Sequence, residues 1–293
     1  YPVHHGVLTD GNSVKPDATM LAQELQGLGY STTSFYANQY AGEASGMARG
    51  FDHAELVHFT GKGRMQNYVE QLDRGKPYFL YIHNVEPHNP FEMRVSERYV
   101  KHFGEVHYKN RLSMLDIYTS YRASTLGSGL ADDDDSALQA EFLDKLYALK
   151  EGTIDILYDA SVRLADSMVG EVIDALKEAG LWENTYFLLV SDHGEEMGEH
   201  GGWQHDQSLY PELVHVPFIL RIPGNRHAGK VIDDPVTLVD VMPTLLDFLG
   251  KLDGDNSFEG NSLLPLIEGK APDKIGEKAS IRFTAQRVNL KKH

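Results

Sequence analysis

"YFLLVSDHGEEMGEHGGWQHD" (186–206) sets a short apolar run directly against a segment crowded with histidine, aspartate and glutamate. Tyr186 to Ser191 reads as a buried strand, since an unbroken β-rich apolar run suits a sheet covered on both faces. Such a strand delivers Asp192 and His193 at its carboxyl end. Aspartate offers a hard anionic oxygen and histidine a neutral nitrogen, a mixed pair suited to a divalent cation. The competing reading makes Asp192 a helix cap and His193 an ordinary surface residue.

A second stretch, "YFLYIHNVEPHNP" (78–90), repeats the arrangement. A strand from Tyr78 runs out at His83, and Glu86 and His88 follow in a turn stiffened by two prolines. A lone histidine at a strand end is usually structural. Two strand ends of one sheet, each presenting histidine and an acid, point instead to a shared site, and imidazole suits proton transfer near neutral pH. The residues by themselves describe a metal-assisted hydrolase.

Outward from these stretches, strands and helices alternate. "KPDATMLAQELQGLGYSTTSFYA" (15–37) predicts a helix ending near Gly27 or Gly29 and a strand through Thr32 to Ala37. "RMQNYVEQLDRG" (64–75) predicts a short amphipathic helix. From Tyr158 to Ala179, apolar residues recur at Val162, Ala165, Val169, Val172, Ile173 and Leu176, which is helical spacing, and Gly180 supplies the stop. "VPFILRIPG" (216–224) reads as a strand and "TLVDVMPTLLDFLG" (237–250) as a helix with Pro243 near its start or at a kink. Alternation of this kind predicts an α/β sandwich: a largely parallel sheet with helices on both faces. The strands at 78–83 and 186–191 are expected to be central. Asn89 to Ser136 is weakly periodic and reads as an insertion on a strand-end loop, where such sheets hold ligands.

The totals narrow the function. A chain of 293 residues, 41% hydrophobic, can bury one large or two modest domains. No apolar run approaches the ~20 residues that span a bilayer. The chain has no cysteine, so disulfides, thiolate metal ligands and a cysteine nucleophile are excluded within it. With 43 acidic against 27 basic residues the formal charge is −16, which argues against nucleic acid as a partner. An anionic substrate needs a metal or local cations to reverse that field. "ADDDDS" (131–136) reads as a solvated loop.

The chain resembles the sulfatase family of the alkaline-phosphatase-like superfamily, on segments that match in order. These are "YPVHHGV" (1–7), "LAQELQGLGYSTTSF" (21–35), "RGFDHAE" (49–55), "FLYIHNVEPHNPF" (79–91), the run from Tyr158 to Gly224, "LVDVMPTLLDFLG" (238–250) and "GNSLLPLIEG" (260–269). The resemblance implies a metal-dependent sulfuric ester hydrolase acting on a small-molecule or glycan sulfate ester. Asp192 and His193 match metal ligands, for calcium in sulfatases and for manganese or zinc in phosphoester-cleaving relatives. His88 and His205 match catalytic residues beside the scissile ester. His83 and Asn38 are assigned to substrate binding, Asn38 standing where many members carry Lys and His. His200 reads as structural, and Glu195, Glu196 and Glu199 as loop or helix-start residues.

Departures from the family pattern shape further expectations. No C/S-x-P-S-R motif occurs, and the first aspartate-bearing strand is missing. The formylglycine nucleophile is therefore expected upstream of Tyr1, and this chain by itself is expected to be inactive and to hold metal weakly. Residues 1–269 are read as the catalytic domain and 270–293 as the start of a C-terminal subdomain. Two alternatives stand beside the leading one: a phosphodiester or phosphonate monoester hydrolase or phosphoglycerol transferase of the same superfamily, and a catalytically inactive binding module. Compartment and oligomeric state are not legible.

Overall fold

The fold grows from a helix–strand unit near the amino end. Ala22 and Leu25 are buried on one face of α1 (Leu21–Gly27). Gly29, at φ +86°, turns the chain into β1 (Ser31–Tyr36), a left-handed conformation that glycine adopts without a side-chain clash. The computed structural model describes residues 5–7, 12–57, 64–88, 100–103, 153–200, 203–205, 208–252 and 258–270. The opening residues 1–4, the 131–136 acidic run, almost all of the 89–136 insertion and the 271–293 tail lie outside them.

β1 is buried from Thr32 to Tyr36 and is the middle strand of a parallel ladder, between β2 (His53–Leu56) and β3 (Tyr78–His83). The register pairs Ser31 with Tyr78 and Tyr36 with His83 on one side, and Thr33 with His53 on the other. The carboxyl ends of β1 and β3 are therefore level. Side chains alternate across the sheet. Phe35, Tyr78, Leu80 and Ile82 join a core with Tyr68 and Val69 of α2 (Arg64–Glu70) and Met168, Val172 and Leu176 of α3 (Thr153–Glu178). Phe79 and Tyr81 point to the other face and meet Phe51. Each fully buried side chain of this size contributes about 1.5–3 kcal/mol. The long helix begins earlier than the 158–179 reading because Ile154 and Leu157, both buried, continue its apolar stripe.

The second half is built differently. β4 (Phe187–Val190) pairs with β7 (Phe218–Arg221), and the pairing is antiparallel, Phe187 against Arg221 and Val190 against Phe218. Between them lie a two-residue hairpin, β5 (Glu196–Met197) with β6 (Trp203–Gln204), and a short helix, α4 (Pro211–Val214). Tyr186, Phe218 and Leu220 pack with Ile222, Leu263 and Ile267 in a second core closed by α5 (Val241–Phe248) and α6 (Leu264–Ile267). Thr237 and Asp240 form a capping box on the 3₁₀ turn that leads into α5. Pro243 lies in the first turn of α5, where a missing N–H costs no helical hydrogen bond.

The expected α/β fold with a parallel ladder is present, with β4 and β7 forming an antiparallel pair beside it. One expectation needs correction: the chosen strands are not both central among the described residues. β3 closes one end of its ladder and is half-buried throughout, and β4 pairs with a single strand. An apolar run on both faces reports that the faces are covered; it carries no information about hydrogen bonding at the lateral edges. The two halves meet at the foot of these strands, where Tyr78 Oη and Thr185 Oγ1 share a hydrogen bond and Phe187 packs onto the Tyr78 core.

Candidate active site

The level ends of β1 and β3 set up one wall. Ala37 N donates to His83 O at 3.1 Å, which brings Asn38 next to the end of β3. Asn38 Oδ1 accepts from Tyr40 N at 3.0 Å and caps the 3₁₀ turn Gln39–Ala41. None of its hydrogen bonds among the described residues reaches the histidines beyond. Burial pushes the His83 imidazole below its ordinary pKa; Asp192 opposes that shift and His88 adds to it. His83 Nδ1 and Asn84 Oδ1 are buried polar atoms without a hydrogen-bond partner among the described residues. The chain then turns through a cis Glu86–Pro87 peptide, and His88 N donates to Val85 O at 2.7 Å.

The end of β4 forms the opposite wall. Gly194 N donates to Leu213 O at 2.9 Å, and a Cβ at Gly194 would sit 2.0 Å from Glu212 O, so no larger residue fits. This close approach pins the Asp-His-Gly corner against α4. Asp192 Oδ1 accepts from His193 N at 3.0 Å, while the carboxylate stays 78% exposed. His193 Nδ1 lies 2.8 Å from Gly194 O. A carbonyl only accepts, so Nδ1 carries the proton and the neutral ring keeps its lone pair on Nε2. That atom is 3.9 Å from Asp192 Oδ2. Donors bind a divalent cation at about 2.0–2.6 Å, so one ion can touch both, and the pair fits a metal.

The β5–β6 hairpin supplies the third element. Its antiparallel register places Glu196 opposite Gln204, which sets Glu195 across from His205. His205 Nδ1 lies 3.3 Å from Glu195 Oε1, and that carboxylate side chain is only 4% exposed. Glu196 is buried too and accepts from Ser208 Oγ at 2.9 Å. Glu195 is a loop residue as expected, though a buried one, whereas Glu196 lies in β5 rather than in a loop or helix start. The hairpin register that pairs Glu195 with His205 is the feature that sequence spacing alone did not expose. Tyr158 of α3 borders the same region, its phenol pushed up by burial first and then by the Glu195 charge.

The histidines of the two walls meet. Ring centroids are 4.1 Å apart for His193 and His205, 4.8 Å for His88 and His205, and 5.8 Å for His88 and His193. Tyr81 also feels Asp192: burial raises its phenol pKa, and the nearby carboxylate raises it further. His88, His205, Asp192 and His193 therefore share one cleft, with His83 beside them and Asn38 one step away. His200 is not one of the three grouped histidines; its ring stacks on Tyr210 at 3.6 Å and its Nε2 is 3.4 Å from Glu212.

Comparison with known proteins gives this arrangement its context. The sulfatase family model matches residues 1–251. An arylsulfatase of Clostridium perfringens is 30% identical over 237 residues, covering 76% of this chain and 45% of that protein. An endo-4-O-sulfatase of Bacteroides thetaiotaomicron is 27% identical over 256 residues, covering 86% of this chain and 44% of that protein. The chain thus spans less than half the length of these two relatives. Among solved structures, a phosphonate monoester hydrolase of Agrobacterium radiobacter superposes with a TM-score of 0.66 at 22% identity, covering 97% of this chain and 71% of that one. That likeness establishes the alkaline-phosphatase-like α/β fold. With the family model spanning most of its residues, the chain belongs to the sulfatase family.

Proposed function

We propose that this protein takes part in metal-dependent hydrolysis of sulfate esters on a small molecule or glycan. The observation that carries the reading is the meeting of His88, His193 and His205 in one cleft, beside Asp192, from two segments far apart in sequence. Asp192 and His193 would hold the cation, which when bound offsets the charge building on the transferring group. Calcium is the proposed ion for a sulfatase, with manganese or zinc for a phosphoester-cleaving relative. Calcium takes six to eight oxygens, so Asp192 would be one of several oxygen donors. A formylglycine nucleophile is proposed for a segment ahead of Tyr1.

The remaining roles follow from the side chains themselves. His205, backed by the buried Glu195 carboxylate, is held to present Nε2 to an anionic ester. His88, whose ring lies 4.8 Å from that of His205, is proposed to hand a proton to the leaving oxygen. His83 and Asn38 are proposed to contact the substrate. Residues 1–269 form the catalytic unit in this reading, and 270–293 begin a C-terminal subdomain. The test is hydrolysis of an aryl sulfate against an aryl phosphonate monoester by the natural gene product, whatever precedes Tyr1 included. Preference for the sulfate supports the proposal. Preference for the phosphonate moves the protein to the phosphorus-cleaving branch, and cleavage of neither supports an inactive binding module.

A further inference from the structure

We propose that His88, His193 and His205 form a three-nitrogen site for a transition-metal cation of the zinc class, an alternative to the Asp192–His193 pair with which it shares His193. Each ring offers one ligand nitrogen, and these atoms all lie within 4.8 Å of one another. Zinc binds imidazole nitrogen at about 2.0–2.1 Å, so two ligands of a tetrahedral ion sit about 3.3–3.4 Å apart. A pair at the 4.8 Å limit therefore closes by about 1.5 Å, through side-chain rotation. Three neutral imidazoles with an open fourth position suit zinc or cobalt. They suit calcium poorly, because it seeks many oxygens.

The groups behind the rings support the assignment independently. Histidines that ligate metals usually donate their other N–H to a carbonyl or a carboxylate, which fixes ring orientation and strengthens the ligating nitrogen. Gly194 O sits 2.8 Å from His193 Nδ1 and takes its N–H, while the Glu195 carboxylate stands at ion-pair distance, 3.3 Å, from His205 Nδ1. The His193 partner leaves Nε2 as the ligand atom. The Glu195 carboxylate also offsets part of the cation's charge in a partly buried cleft.

One consequence links this site to catalysis. A metal held by all three rings engages His88 and His205, the two imidazoles that the hydrolase reading assigns to the ester. Zinc occupancy and ester contact at these residues exclude each other. The assignment shares a cleft with that reading but does not depend on it: a protein that bound zinc through three imidazoles yet cleaved no ester would leave it standing.

The experiment is cobalt(II) absorption spectroscopy of the protein, with zinc affinity measured by competition. Expected are intense visible bands of four-coordinate cobalt, abolished by equimolar zinc. His88→Gln and His205→Gln should each weaken zinc at least 10-fold. Glu195→Gln should weaken it about 10–100-fold, as loss of a group behind a ligand does. Asp192→Asn should leave zinc affinity within about threefold. Weak, six-coordinate cobalt bands in the unaltered protein would overturn the proposal, whatever the variants do. So would zinc affinity that survives His88→Gln and His205→Gln but collapses in Asp192→Asn.

Discussion

Two tripeptides, Gly50-Phe51-Asp52 and Asp192-His193-Gly194, each hold a glycine and an aspartate and put the aspartate to opposite uses. In each, the glycine lets backbones approach closely. A Cβ at Gly50 would lie 2.3 Å from Gln23 N, and one at Gly194 would lie 2.0 Å from Glu212 O. At the first corner the polar groups are committed to the fold. Asp52 accepts from Thr32 N at 3.0 Å and from Gln26 Nε2 at 2.7 Å, and Phe51 stacks on Phe79. At the second, the aspartate is 78% exposed and the histidine turns its lone pair outward. Equal rigidity with unequal use of donors separates a structural corner from a functional one.

The sharpest way to break that comparison is to test the shared feature. Gly50 also sits at φ +86°, so Gly50→Ala combines a backbone clash with a strained conformation. Overpacking typically costs about 1–3 kcal/mol, and the left-handed conformation about 1–2 more. Urea denaturation should register the loss; a variant as stable as the parent would show that the corner yields freely.

Next in size are the site residues, where function rather than stability should fall. His88→Ala and His205→Ala are each expected to lower aryl sulfate turnover by about 10²-fold in the active gene product, with the melting temperature little changed. Stopped turnover accompanied by unfolding would mean that these rings are structural, as at the Gly-Phe-Asp corner.

Asp52→Asn should act the other way, on stability and not on metal binding. The Thr32 N–H first, and then the Gln26 side chain, hold the Asp52 carboxyl below the ordinary carboxylate range. A depressed folded-state value stabilises fully above the unfolded value of about 3.9, and the gain is lost as pH falls toward the folded value. The stability gap between the parent and Asp52→Asn is thus expected to be steady from neutral pH to about pH 5 and to narrow below it. A gap that stays constant through the acid range would contradict the clamp.

The smallest effect should come from His200→Ala, which removes a ring stacked on Tyr210 and near Glu212. Its expected cost is a fraction of the site variants' loss in turnover, read in the same assay. An equal loss would bring His200 into the site.

How far the sequence reveals this depends on the kind of interaction. Apolar periodicity is local, so the α1–β1 unit, α3, and the strands from Tyr78 and Phe187 are legible from residue order. Strand ends are local too, which is why Asp192, His193 and His88 can be named as candidates. Lateral pairing is not local. Nothing in "FILR" (218–221) declares that it runs antiparallel to β4, and nothing in "YFLYIH" (78–83) says that β3 ends its ladder. The same limit conceals Glu195, whose partner is assigned by a hairpin register and whose burial comes from the surrounding structure. Asn38 shows the converse: its placement beside the β3 end follows from the order of elements, while its side-chain oxygen is engaged in a turn cap.

Histidine-selective nuclear magnetic resonance during a titration with inorganic sulfate tests the central claim, that residues from two strand ends act as one site. The imidazole signals of His88, His193 and His205 should move together along one saturation curve. Those of His53 and His200, which lie outside the cleft, should stay fixed. Separate midpoints for His88 and His205, or movement of His200 in their place, would contradict it.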